Sequence, residues 1–261
     1  MRITIKIGSN VLTKDNGLPN ASIIGSIAAQ ISEIRKQKIE VILVSSGAVA
    51  AGRSVLRNGK KTGTVAERQV LSSLGQVRLM QLYTDAFGQA ETTCAQVLVT
   101  VQDFRDRHHY LNMQNCLEAL LQNDIVPIVN ENDVVSVTEL MFTDNDELAG
   151  LISAMLNVDA LYLLTSVDGL YTGHPDRDDS ALIPVFDRNY HILEDISAGG
   201  PSHFGRGGML TKCHTAQKLA RVGIPVTIAN GTEKDVIVRL LRGEKLGTHF
   251  PPRRNASGIK K

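Results

Sequence analysis

Ile39-Glu40-Val41-Ile42-Leu43-Val44-Ser45-Ser46-Gly47-Ala48-Val49-Ala50-Ala51 is the stretch on which the fold turns. Its first part is nearly all apolar, as a strand is when both faces are covered. It then runs through Ser45-Ser46-Gly47-Ala48 into a helix of small residues. Upstream, Met1 to Ile7 alternates β-branched and polar residues and stops at Gly8-Ser9, which reads as a strand and a tight turn. Between the two, Pro19-Asn20 opens a helix with Asn20 as its N-cap. Ile23, Ile24, Ile27, Ile31 and Ile34 share one face of that helix, while Glu33, Arg35, Lys36 and Lys38 face solvent. One strand–helix–strand unit in about 45 residues is the pattern of a parallel sheet wound with helices.

Further apolar runs repeat it: Ala95–Thr100, Ile125–Val129, Ala160–Thr165 and Ile224–Ala229 predict strands. Val65–Phe87, His109–Gln122, Glu147–Leu156 and Gly208–Val222 predict helices. Two segments break the rhythm. Val134–Phe142 alternates and predicts a hairpin. Asp168–Phe186 carries Asp168-Gly169 and His174-Pro175-Asp176 turn signals and predicts a second hairpin with a loop. No internal repeat or linker divides the chain, so residues 1–250 are expected to form one α/β domain, followed by a polar tail over 251–261.

Bulk properties narrow the class. The 261 residues are 43% hydrophobic and 21% charged, ordinary for a globular enzyme. The net charge of +1, from 28 basic and 27 acidic residues, supplies no field to draw the chain to nucleic acid or an anionic membrane. An anionic substrate must therefore be met by local groups. Cys94, Cys116 and Cys213 show neither metal-ligand spacing nor a disulfide framework, and no signal peptide or membrane span is evident, so a cytoplasmic setting is expected.

Several standard signatures are missing. No segment matches the phosphate-binding G-x-x-x-x-G-K-[ST]. Gly205-Arg206-Gly207-Gly208 lacks the third glycine of the dinucleotide fingerprint. Asp144-Asn145-Asp146-Glu147 lacks the glycine of a calcium loop, and there is no G-x-S-x-G elbow.

Five segments nevertheless gather Gly, Ser, Asn, Asp and Lys after apolar strands or at helix starts. In open α/β sheets ligands bind outside the carboxyl ends of strands, so the placement is informative. Lys6-Ile7-Gly8-Ser9-Asn10 puts a lysine within a strand, where lysine is rare without a partner. Its plainer reading is an edge lysine with a packed stem and a wet head. Ser45-Ser46-Gly47-Ala48 offers free N–H groups to an anion, although taken alone a Ser N-cap and a tight turn explain it better. Asn130-Glu131-Asn132-Asp133 brings donors and acceptors together, as an amino acid ligand requires. Asp144-Asn145-Asp146-Glu147-Leu148 precedes a helix; one acid suffices as cap, and the rest are free to bind an ammonium or hold lysines. Gly205-Arg206-Gly207-Gly208-Met209-Leu210-Thr211-Lys212 opens a helix whose glycines allow a phosphate chain close approach, with Lys212 about one turn in.

Phosphoryl transfer fits this set. It needs two anionic reactants held in line and the developing charge neutralised, with little covalent help. Lys6 and Lys212 would neutralise that charge from two sides, and backbone N–H groups of Gly8 and Gly47 would add donors. A carboxylate nucleophile is already ionised and needs no general base.

At this point the chain resembles the amino acid kinase family, and within it the branch that phosphorylates glutamate. The resemblance runs from Ile3 to about Phe250. It is carried in order by Lys6-Ile7-Gly8-Ser9, Ser45-Ser46-Gly47-Ala48-Val49-Ala50-Ala51-Gly52, Val129-Asn130-Glu131-Asn132-Asp133, Asp144-Asn145-Asp146, Gly169-Leu170-Tyr171-Thr172 and Gly207-Gly208-Met209-Leu210-Thr211-Lys212. It implies a three-layer αβα sandwich around a mostly parallel sheet of about eight strands, with the amino acid on the N-terminal half and ATP on the C-terminal half. Carried over, Lys6 and Lys212 stabilise the transferring phosphoryl group and Asp146 orients them. Ser46, Asp133 and Asn145 bind glutamate, helped by Asn130 and Asp144. Gly8, Thr165, Ser166 and Arg206 through Lys212 surround the nucleotide. Mg2+ is expected to bridge the phosphates, held by them and by water, with no metal ligands of the chain's own.

The resemblance also implies transfer of the ATP γ-phosphoryl group to the glutamate side chain, the first step of proline synthesis. Proline is then the expected feedback inhibitor, a reductase the acceptor of the labile product, and a homo-dimer or tetramer the expected assembly. The sequence departs from the family at Ser166, where many relatives carry Asp, and at Arg206 and Leu210 in the phosphate loop. Set against the longer family form, the RNA-binding-like C-terminal domain is expected to be absent. Rival readings are a relative acting on N-acetylglutamate, aspartate, carbamate or a nucleotide; a non-catalytic sensor; and a nicotinamide-dependent oxidoreductase, the last disfavoured by the missing fingerprint. Acetylglutamate would want an apolar pocket near the nitrogen, whereas Asp133 and Asp144 favour a free ammonium.

Overall fold

The structure, a computed structural model, describes residues 1–56, 64–136, 144–173, 179–186 and 208–253. In chain order the elements are β1 (Arg2–Ile7), α1 (Ser9–Leu12), α2 (Ala21–Arg35), β2 (Glu40–Ser45), α3 (Ala48–Val55), α4 (Val65–Gln89), β3 (Cys94–Val99), α5 (Val101–Arg105), α6 (Arg107–Gln122), β4 (Val126–Glu131), α7 (Asn145–Met155), β5 (Ala160–Thr165), α8 (Met209–Arg221), β6 (Val226–Asn230), α9 (Val236–Leu241) and β7 (Thr248–Phe250). Among the described residues the strands form one seven-stranded sheet in the order β3-β4-β2-β1-β5-β6-β7, the mostly parallel sheet of the expected αβα architecture. Every neighbouring pair is parallel except β6 with β7.

Strand periodicity builds two apolar layers, one on each face of the sheet. Ile3, Ile5 and Ile7 of β1 join Ile24, Ile27 and Ile31 of α2, Tyr83 and Phe87 of α4, and Val236 and Ile237 of α9. On the opposite face Ile42 and Val44 of β2 join Leu117 of α6, Leu148 and Ile152 of α7, and Cys213 and Ala216 of α8. Burying each fully enclosed isoleucine contributes about 1.5–3 kcal/mol. The same alternation turns Thr4 and Lys6 towards the α7 layer, which is how a lysine comes to lie inside the molecule.

The chain leaves β1 on one side for β2, β3 and β4, and returns to the other side for β5, β6 and β7. The reversal falls between β1 and β5, so ligands are expected at the carboxyl ends of those two strands. Helices α3 and α4 pack backbone to backbone over the neighbouring β2 turn. A Cβ on Gly75 would stand 1.7 Å from the Ala48 carbonyl oxygen, and one on Gly52 would stand 1.9 Å from that of Leu71.

The second predicted hairpin is present in its described parts. The Thr172 N–H donates to the Ala181 carbonyl at 2.9 Å and the Ile183 N–H to that of Leu170 at 2.7 Å. Of the first, only Val134, Val135 and Ser136 are described: Val134 and Val135 form a turn, with the Val135 and Ser136 N–H groups donating back to the Asn132 carbonyl at 3.2 and 3.0 Å. The rest of that predicted segment, up to Phe142, lies outside the described residues, as do residues 174–178 of the second. Among the described residues no helix is long and apolar enough to cross a membrane.

Candidate active site

Three charged side chains from three elements meet at the reversal point. Lys6 stands one residue before the end of β1, Asp146 is the second residue of α7, and Lys212 lies one turn into α8. Lys6 Nζ is 2.6 Å from Asp146 Oδ1, and Lys212 Nζ is 2.8 Å from Oδ2. The Asp146 side chain is 0% exposed, and those of the lysines are 5% and 9% exposed. Burial alone would raise the Asp146 carboxyl, but the two ammonium groups outweigh it and hold it below the usual carboxylate range. Burial lowers the Lys6 ammonium, and the charge of Lys212 adds to that, against the pull of Asp146. Two ammonium groups thus stand at the sheet's carboxyl end on one wholly buried carboxylate, with the Asp144 carboxyl also acting on Lys6, and an anion gains most from such groups in a poorly hydrated setting.

Next to the lysines, Ser46, Asn130 and Asn145 form one polar network. Asn145 Nδ2 donates to the Ser45 carbonyl at 2.9 Å, to Ser46 Oγ at 3.0 Å and to Asn130 Oδ1 at 2.9 Å. Asn130 Oδ1 also accepts from the Glu131 N–H at 2.9 Å, which leaves its Nδ2 to donate to Gln76 Oε1 at 3.0 Å. Gly47 makes the turn beneath this network at φ 99°, a left-handed conformation that glycine adopts without a Cβ clash. It caps α3, whose first N–H groups have no partner within the helix. Asp144 holds two helices together: its Oδ1 accepts from the N–H groups of Asp146 and Glu147 at 2.8 and 3.1 Å, and its Oδ2 accepts from Thr211 Oγ1 at 2.5 Å. Burial and the adjacent Asp146 charge push its carboxyl above the ordinary range. Asp144 is thus the tether that docks the start of α8, and with it Lys212, against α7.

Two expectations change in detail. The Gly8 N–H, expected to serve an anion, donates to the Leu164 carbonyl at 3.0 Å and closes β1 onto β5. Gly8 nevertheless lies next to Lys6, since a Cβ there would stand 4.0 Å from Lys6 Nζ. Asp133, expected to await an ammonium, already has partners on α4: Arg68 Nη2 at 2.7 Å on Oδ1 and Ser72 Oγ at 3.0 Å on Oδ2. Sequence reading passed over these residues of α4. Arg68, Ser72 and Gln76 recur every fourth residue on one face, and Gln69 Nε2 reaches the Val134 carbonyl at 2.7 Å. A polar stripe on a long helix reads as a solvated face, yet Ser72 is only 3% exposed.

Thr165 ends β5 and its carbonyl accepts from the Gly231 N–H at 2.7 Å, so Thr165, Ser166 and the β6 turn border one another. Gly208 caps α8, followed by Met209, Leu210, Thr211 and Lys212. Arg206 and Gly207 lie outside the described residues. Burial pushes the neighbouring Cys213 thiol up to about 12, which leaves it unreactive. On the far side of the Asn130–Asp133 loop a cavity of about 350 Å³ is lined by Leu98, Thr100, Gln102, Asp103, Asn132, Val135 and Ser136; neither lysine borders it.

The amino acid kinase family matches residues 1–230. A glutamate 5-kinase of Chlorobaculum tepidum is 50% identical over 249 residues, covering 95% of this chain and 68% of that protein. One of Bacteroides thetaiotaomicron is 44% identical over 263 residues, covering 100% of this chain and 73% of its own length. Among solved structures, an isopentenyl phosphate kinase superposes with a TM-score of 0.65 at 18% identity, covering 96% of this chain and all of its own. UMP kinase from Bacillus anthracis does so at 0.63 and 17%, covering 97% and 96%. At such identities the solved structures speak for the fold alone. The ordered motifs, the paired lysines and the relatives agree: the chain belongs to the amino acid kinase family, in the branch whose curated members are glutamate 5-kinases.

Proposed function

We propose that this chain transfers the γ-phosphoryl group of ATP to the side-chain carboxylate of L-glutamate, giving ADP and L-glutamyl 5-phosphate. The observation that carries the reading is the convergence of Lys6 and Lys212 on one buried Asp146. An oxygen of the acceptor carboxylate attacks the γ-phosphorus, and the bond from that phosphorus to the β–γ bridging oxygen breaks. The acceptor is ionised at neutral pH, so no proton has to move. What the reaction needs is cancellation of charge on the migrating group, and the two ammonium groups supply it from either side. Asp146 sets their spacing and acts as a positioning residue.

In this reading Ser46, Asn130 and Asn145 hold the acceptor, with Asp133 facing its ammonium. Thr165, Ser166 and the segment Arg206–Lys212 receive the nucleotide. Asp144 and Asp146 both have their oxygens engaged. That donor set fits a Mg2+ ion carried by the ATP phosphates and water better than one bound to these carboxylates, and such an ion would shield phosphate charge. Proline competing near the acceptor subsite, a homo-oligomeric assembly, a cytoplasmic location and handover of the acyl phosphate to a reductase belong to the same reading.

The test is coupled ADP release with L-glutamate, N-acetylglutamate, L-aspartate, carbamate and UMP, with and without proline. Glutamate-dependent turnover inhibited by proline is expected. Turnover with acetylglutamate and none with glutamate would transfer the chain to another branch.

A further inference from the structure

The acceptor carries two groups on one carbon, an α-ammonium and an α-carboxylate. The residues discussed so far provide an anion for the first and no cation for the second, since both lysines are committed to Asp146 and the phosphoryl group. A zwitterion is best read by a matching pair of opposite charges placed side by side. One such pair borders the Asn130–Asp133 loop. Arg68 Nη2 lies 2.7 Å from Asp133 Oδ1, with the Arg68 side chain 34% exposed and that of Asp133 10% exposed. The position is built from α4: Ser72 fixes the second Asp133 oxygen at 3.0 Å, and Gln76 meets Asn130, which bonds Asn145 beside Asp146.

Both partners have capacity left. A guanidinium has five N–H donors, and Asp133 engages one of them; each carboxylate oxygen can accept a second hydrogen bond. We propose that Arg68 is a specificity-determining residue that binds the α-carboxylate of the acceptor while Asp133 binds its ammonium. Arginine suits this task because its planar fork matches a carboxylate in two-point contact. Without an acceptor the two side chains neutralise each other, which spares the loop an unpaired charge.

Since this rests on glutamate being the acceptor, the test compares L-glutamate with L-isoglutamine, which keeps the ammonium and side-chain carboxylate but has a neutral carboxamide at the α-carboxyl position. Wild-type enzyme, R68Q and R68K are assayed for kcat and KM with both acceptors and for the KM of ATP. The wild type should prefer glutamate by roughly 10–100-fold in KM, the worth of one charge-assisted contact. R68Q should lose that preference through a higher KM for glutamate, with the isoglutamine and ATP values nearly unchanged, and R68K should restore part of it. If Arg68 only braces Asp133, both acceptors weaken together and their ratio stays at the wild-type value, which overturns the proposal. A wild type without glutamate turnover would instead sink the acceptor assignment itself.

Discussion

Replacing Asp146 by Asn changes one oxygen to an NH2 group and leaves shape and volume almost intact. Its effect is therefore electrostatic. The wild-type carboxylate lies 2.6 and 2.8 Å from two ammonium groups and is wholly shielded from water. Without it, two buried cations face each other with no anion between them. Removing one partner of a buried ion pair costs about 3–5 kcal/mol. At about 2–4 °C per kcal/mol for a chain of this size, Tm should fall by about 6–20 °C. Turnover should fall by about 100–1,000-fold, the worth of one lost charge-stabilising group in a transition state.

The pH dependence makes the test sharper. Lys6 is already lowered by burial and by Lys212, and loss of the Asp146 charge lowers it further. In the unfolded chain this lysine keeps its proton up to about pH 10. Between the two values the unfolded state binds more protons than the folded one, so the stability of D146N must rise with pH. Melting curves from about pH 6.5 to about pH 9 should show the gap to wild type narrowing as pH rises, because the folded variant sheds one of its two buried protons. A D146N protein with wild-type turnover, or a stability gap that stays level or widens towards high pH, would refute the reasoning.

Lys212→Ala leaves a one-to-one pair of Lys6 with Asp146; turnover should drop by roughly two to four orders of magnitude, while calorimetry still detects ATP binding. Asp144→Ala removes the cap of α7 and the tether to Thr211; it should cost about 1–2 kcal/mol in thermal unfolding and raise the KM for ATP as the start of α8 comes loose. Gly75→Ala forces a methyl group against the Ala48 carbonyl, 1.7 Å away where backbone cannot yield. It should destabilise by about 3 kcal/mol or more and reduce soluble yield.

Most of the scaffold was legible because its signals are local. The predicted helix Val65–Phe87 is observed as Val65–Gln89, and the predicted strand Ala160–Thr165 has those same ends. Asn20 caps α2 as expected, accepting from the Ile23 N–H at 3.4 Å. The three-residue β7 was passed over because Thr248-His249-Phe250 is too short to show a period, and its place is set by pairing with β6. In the site, the types and positions of Lys6, Asp146 and Lys212 could be read, but their contact could not, since it depends on three elements distant in the chain. Asp133 shows the converse. Its acidity was visible in the loop, while Arg68, its partner 65 residues away, is an ordinary helix arginine until α4 lies against the loop after β4. Gly8 looked like an anion donor because a Gly-Ser turn permits that, and only the parallel register of β1 with β5 commits its N–H to Leu164.

The central place of β1 also bears on biosynthesis. This isoleucine-rich strand is made before β2 to β7, yet one of its edges pairs with β5, which begins only at Ala160. At translation rates of 5–20 residues per second, that edge stays uncovered for about 10–30 s. Throughout that interval a nascent chain presents an apolar ribbon with unsatisfied backbone groups, able to pair with a neighbour on the same polysome. Slowed elongation between β4 and β5 should therefore lower the yield of native protein more than the same pause placed after β6.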